Sequence, residues 1–124
     1  MKKSKYLYEL NKIAENLENL KYFKEAKLKG RLIIADNGLF EGDSFTEQQL
    51  IDFVNELRPD IFVIPDVWND AKHSYKNAKH WQKEIKKYLP GETQLMAVVQ
   101  CTHLDIGADL YEDYTDLGIK CIAF

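Results

Sequence analysis

Cysteine, proline and glycine are scarce here: two, three and six among 124 residues. Two cysteines 20 positions apart, Cys101 and Cys121, match no disulfide framework and no zinc-ligand spacing. A reducing cytoplasmic compartment is therefore the expectation. No Pro/Gly/Ser-rich tract is long enough to act as a linker, and no low-complexity segment interrupts the chain. Apolar runs stay well short of the ~18 residues a membrane span needs. The basic start MKKSKYLYEL leads into an amphipathic pattern, which argues against a signal peptide. Length excludes one architecture as well, since a complete (β/α)₈ barrel takes about 250 residues.

What is present describes a globular domain, with 45% hydrophobic and 30% charged residues and a net charge of −3. The charge is uneven. Residues 1–29 carry eight Lys against four Glu, a net of +4, whereas residues 30–124 carry nine basic against sixteen acidic side chains, a net of −7. Tyr6, Leu10, Ile13, Leu17 and Leu20 recur at helical spacing, so residues 1–30 are expected to form an amphipathic helical extension that Gly30 ends.

From residue 31 onward, strand and helix signals alternate. Leu32–Ala35, Ile61–Ile64, Leu95–Val99 and Ile119–Phe124 are short apolar runs that read as strands. Asn37-Gly38 marks a turn after the first. Ser44 and Glu47 are spaced as a capping box for a helix that turns Leu50, Phe53, Val54 and Leu57 inward and closes at Pro59. A longer helix is expected from about Asn69 to Tyr88, with Ala71, Tyr75, Ala78, Trp81, Ile85 and Leu89 along one side. Thr102 or Asp105 caps a third helix, with Gly118 as its stop.

Four apolar strands separated by helices imply parallel pairing, with both faces of the sheet covered. Crossovers of one hand then gather the C-terminal ends of the strands on one rim, where α/β folds hold their ligands. Asp36, Asp66 and Gln100 each end a strand and so share that rim. Each alone is also what a turn or strand end commonly carries; the coincidence of three is what points to a site. Two carboxylates and a carboxamide suit a ligand with several N–H donors and a carbonyl, such as a purine base. Phe40 and Trp68, each beside a rim carboxylate, offer a stacking face, with helix–sheet packing as the plain alternative.

These residues also resemble a family. Asp36-Asn37-Gly38-Leu39-Phe40 is similar to the Asp-Ser-Gly-Gly-aromatic motif of tRNA-guanine transglycosylases. Ile64-Pro65-Asp66-Val67 resembles the segment bearing that family's second-motif aspartate, and Ala97-Val98-Val99-Gln100 its Val-Gln-Gly segment. The wording of the motifs is closer to the phage and bacterial branch that places 7-deazaguanine bases in DNA. The resemblance covers residues 31–124 and implies a parallel (β/α) half-barrel of the TIM-barrel type, four strands long, behind the N-terminal helix. It implies base exchange at a glycosidic bond through a covalent intermediate with nucleic acid, DNA or tRNA. Asp36 then corresponds to the carboxylate beside the reacting base, Phe40 to the stacking aromatic, Asp66 to the reader of the N1–H and 2-amino edge, and Gln100 to the contact with O6. The target nucleotide must leave its stack for such chemistry.

The chain departs from the pattern at two family glycines, replaced by Leu39 and Cys101. In the family, the nucleophilic aspartate and a zinc-binding cysteine cluster lie on later strands. No metal site and no cofactor are expected here, because Cys101, Cys121, His73, His80 and His103 show no ligand spacing. A second chain or a second copy is expected to complete the barrel, unless these residues are a piece of a longer protein, and these residues alone are expected to bind weakly and turn over nothing. The alternative is a non-catalytic α/β module that binds a nucleotide or protein through the same rim. A barrel enzyme using the two aspartates for general acid–base work is a third possibility.

Two further features read both ways. Lys72, Lys76, Lys79, Lys83 and Lys86 form a stripe that either contacts phosphates or is a solvated outer face. His73 and His80 share one helix side and read as surface residues.

Overall fold

The computed structural model describes residues 21–36 and 45–124. The stripe from Tyr6 to Leu20, the Asn37-Gly38 turn, Leu39, Phe40 and Ser44 fall outside those residues. The chain divides into two compact units, Met1–Ile33 and Ile34–Phe124. In the first, residues 21–28 are helical and the helix closes at Gly30, whose φ of +80° is the left-handed conformation glycine adopts without strain. Gly30 N donates to Lys27 O (3.0 Å) and Arg31 N to Ala26 O (3.2 Å), which satisfies carbonyls the last turn would leave unpaired.

The second unit is mixed α/β. Its strands are β1 (Ile34–Ala35), β2 (Ile61–Val63), β3 (Gln94–Val98) and β4 (Cys121–Ala123), all parallel and in the order β1-β2-β3-β4. Between them run α1 (Glu47–Leu57), α2 (Ala71–His80) and α3 (Leu104–Asp116). α2 continues through a π-turn, Trp81–Ile85, into a short 3₁₀ turn, Lys86–Tyr88.

The register pairs Ala35 with Phe62, Phe62 with Leu95, and Ala97 with Ile122. Ala35, Phe62, Leu95 and Ala97 are buried, and the Phe62 ring lies 5.3 Å from that of Trp81 in the π-turn. On the alternate positions, Ile34 is 53% exposed, Gln94 is exposed, and Ile61, Val63, Met96 and Val98 are half-buried. The expectation that both faces of the sheet are covered is therefore met only in part on this second face. When consecutive strands are neighbours, crossovers of one hand bring every connecting helix to the same side. The alternating burial follows from that topology.

Local signals account for the helix boundaries, with two shifts from expectation. α1 is capped by Thr46, not Ser44: Thr46 Oγ1 accepts from Gln49 N (3.1 Å) and Gln49 Oε1 accepts from Thr46 N (2.9 Å), a reciprocal capping box two residues further on. Its buried residues are Leu50, Ile51, Val54 and Leu57, and Arg58 ends it with a φ of 52° just before Pro59. α2 is capped by Asp70. α3 starts after His103, which makes no side-chain cap, so neither Thr102 nor Asp105 serves; Gly118, φ +85°, stops it as expected.

The N-terminal ends of β2 and β3 are tied by side chains. Thr93 Oγ1, buried, donates to Pro59 O (2.7 Å), and Arg58 grips Glu92 through two bonds of 2.8 and 3.0 Å. The opposite rim carries the candidate site.

Candidate functional site at the strand ends

Asp66 and Gln100 follow β2 and β3, which pair directly, so their positions are neighbours by topology. The structure brings their side chains into contact. Gln100 Nε2 donates to Asp66 Oδ2 at 2.6 Å, and Gln100 Oε1 accepts from Asn69 N at 3.1 Å. The carboxamide faces a carboxylate with its donor and an amide N–H with its acceptor, so the two contacts agree on its orientation. Gln100 is buried and Asp66 half-buried. With one amide hydrogen committed to Asp66, the Gln100 nitrogen has a second to donate. Asp66, with Oδ2 engaged, keeps acceptor capacity at its other oxygen.

The loop joining β2 to α2 is held at several points. Ser74 Oγ accepts from Val67 N (2.9 Å) and donates to Val67 O (3.1 Å), and Asn77 Nδ2 donates to Pro65 O (3.2 Å). Asn69 takes φ = 51°, a left-handed conformation that asparagine tolerates better than most residues. Between these anchors Trp68 is 74% exposed. Asp70 Oδ1 accepts from His73 N (3.0 Å), and its Oδ2 lies 2.6 Å from His73 Nδ1. The His73 amide is the chief reason the Asp70 carboxyl is held below its ordinary value, with the imidazole and Lys72 adding to it.

Tyr114 of α3 is buried, its hydroxyl donating at 2.9 Å to Val98 O, at the end of β3 two residues before Gln100. Burial, and secondarily the charge of Asp66, push its phenol well above the ordinary tyrosine value. Cys101, the residue after Gln100, sets its sulfur against α3 at Gly107: a Cβ on Gly107 would stand 2.9 Å from Cys101 Sγ.

Asp36 follows β1 at the same end of the sheet and is exposed. By extension of the β1–β2 register it is level with Val63, three positions short of Asp66. Phe40 lies outside the described residues. Among the described residues, no group of three or more His, Cys, Asp and Glu side chains is placed to hold a metal ion.

Comparison of the chain with protein-family models, with curated proteins and with solved structures finds no match. Sequence reasoning put Asp66 and Gln100 on one rim but missed Asn69, whose amide orients Gln100, and Ser74, Asn77 and Tyr114, which hold the backbone at Val67, Pro65 and Val98. Ser74 left one signal, a small polar residue on the apolar side of α2 one turn after a proline-containing loop. The backbone amide of Asn69 left none, because a main-chain donor has no signature in the sequence.

Proposed function

We propose that the rim built by Asp66 and Gln100 binds a guanine-type base, including 7-deazaguanines, as the base-recognition half of a transglycosylase-like (β/α) barrel. The observation that carries this reading is the 2.6 Å contact between Gln100 Nε2 and Asp66 Oδ2, with Gln100 turned by Asn69. It sets an acceptor and a donor side by side on neighbouring strands. A guanine edge presents the complement: N1–H and the 2-amino group to the carboxylate, O6 to the remaining amide hydrogen of Gln100. Adenine lacks an N1–H and carries an amino group where guanine has O6, so it meets this pair donor to donor.

The strand order β1-β2-β3-β4, all parallel, with the candidate residues after successive strands, supports a barrel segment over a doubly wound sheet. In this reading Asp36 stands beside the reacting base for proton transfer and Phe40 stacks on it. The family's glycine after Gln100 is Cys101 here, and Gly107 of α3 accommodates the added sulfur. The proposed reaction is base exchange in DNA or tRNA, with the nucleophilic aspartate on a second half of the barrel outside these residues. The proposed compartment is the cytoplasm, where thiols such as Cys101 and Cys121 stay reduced. No helix among the described residues is long and apolar enough to cross a membrane.

Calorimetric titration with guanine, 7-deazaguanine and adenine tests the proposal. Guanine-type bases are expected to bind and adenine not. Asp66→Asn replaces an acceptor with a group that presents donors, and base binding is expected to disappear while Asp105→Asn, on the exposed start of α3, leaves it unchanged. Full base affinity in Asp66→Asn would defeat the reading at its central residue.

A further inference from the structure

Trp68 and the outer lysines of α2 are used by neither the fold nor the base site. Trp68 is 74% exposed, whereas the chain's other tryptophan, Trp81, is 3% exposed in the core. Its exposure does not come from a loose loop. The backbone before it is held at both Val67 N and Val67 O by Ser74, and the amide after it is held by Gln100, the residue that also grips Asp66. A large aromatic plate is thus presented to solvent at a fixed position, two residues from Asp66.

α2 starts three residues after Trp68 and carries Lys72, Lys76 and Lys79, and the π-turn that continues it carries Lys83, all exposed. Among the described residues none of Lys76, Lys79 and Lys83 makes an ion pair. Glu47, the α1 carboxylate that reaches α2, is engaged by His80 at 2.6 Å. Glu84 is the one acid that α2 and its π-turn carry on this exposed side, while Asp70 at the helix start is taken up by His73. Lys72 to Lys83 spans about 16 Å of helix, the length of roughly five stacked nucleotides at 3.4 Å each. A base-stacking plate followed by a track of exposed lysines is the arrangement that binds single-stranded nucleic acid, the plate taking a base and the track its phosphates.

We infer that Trp68 and Lys72, Lys76, Lys79 and Lys83 form a track for a single-stranded stretch of nucleic acid, with a base stacked on Trp68 at the mouth of the Asp66–Gln100 site. This deepens the base-site reading and rests on it only for where the track ends. The track fits an unpaired strand better than duplex, because a base inside a duplex offers no free face to Trp68.

The test uses the full chain and a fluorescein-labelled single strand of about twelve nucleotides, titrated over a range of salt. Binding is expected to quench Trp68, with the emission of Trp81 left unchanged. Trp68→Ala is expected to weaken binding roughly tenfold or more, and Trp68→Phe to restore most of it. Replacing Lys72, Lys76 and Lys79 by Gln is expected to lower the slope of log K against log salt by about 2. The same replacement at Lys2, Lys3 and Lys5 controls for the basic N-terminus. All these side chains are solvent-facing or near the chain start, so melting temperatures are expected to stay put.

Strand binding without Trp68 quenching, or a salt slope that responds only to the N-terminal variant, would overturn the inference. So would loss of affinity for phosphatidylglycerol vesicles, rather than for the strand, in the α2 lysine variant. Guanine binding without strand binding overturns the track and leaves the base site standing. Strand binding with both expected effects but no guanine binding supports the track and removes the base site.

Discussion

Gln100 illustrates how much a single amide can organise. Its two ends bind groups of opposite character, Asn69 N–H and the Asp66 carboxylate, from a loop that follows a different strand. Tyr114 holds the end of β3 through Val98 O, and the burial of its phenol has a measurable consequence. Its phenol is pushed above the ordinary 10.0, mainly by burial. The stability tied to the neutral phenol is therefore fully present below about pH 10 and is lost as pH rises further, because the unfolded chain ionises first. Urea unfolding at neutral pH and at about pH 11 is expected to show that loss in the parent chain. In Tyr114→Phe this contribution to the alkaline decline should be missing, while stability at neutral pH falls by about 0.5–1.5 kcal/mol for the lost bond to Val98 O. An equal alkaline decline in both chains would show that Tyr114 does not carry it.

Among the elements, α3 is the one whose position depends on a missing side chain. Gly107 is buried, and a Cβ there would meet Cys101 Sγ at 2.9 Å and Val99 Cγ1 at 3.5 Å. Alanine in place of glycine inside a helix ordinarily gains about 0.5–1 kcal/mol. Here overpacking should reverse the sign, and Gly107→Ala is expected to destabilise by about 1–3 kcal/mol. Adding Cys101→Ala should recover most of it, a coupling that a double-mutant cycle by thermal or urea unfolding would read out. Independent, additive effects would mean that the two residues do not share the space.

The elements also show where sequence reasoning succeeds and where it stops. The apolar runs and their separators placed four strands to within two or three residues, because buried parallel strands leave continuous hydrophobic stretches. The α1 cap slid from Ser44 to Thr46 because both residues satisfy the same local chemistry and only the path of the chain selects between them. The π-turn in α2 could not be read at all: Ala78, Trp81 and Ile85 fit an α-helical stripe equally well.

For the second unit as a whole, strand order was the quantity that local pattern could not deliver. The expectation of full cover on both faces came from treating every apolar strand as fully buried. The sequential order instead groups the helices and leaves Ile34, Met96 and Val98 on a face buried only in part. The shared rim of Asp66 and Gln100 was legible because parallel crossovers carry strand C-terminal ends to one side, and the direct β2–β3 pairing then makes them neighbours. If a second copy closes the proposed barrel by pairing at β1 and β4, the two outer strands, sedimentation velocity should show concentration-dependent association. A single monomeric species across the range would count against closure by a second copy.

The two ends of the sheet are held by different means. At one, Thr93, Arg58 and Glu92 bind the approaches to β2 and β3, and nothing there belongs to the candidate site. At the other stand Asp66, Trp68 and Gln100. Tolerance and innovation are thereby separated along the strand axis. A lineage could exchange the recognition residues for those of another ligand while the lower ties keep the scaffold folded through the intermediate, poorly binding forms.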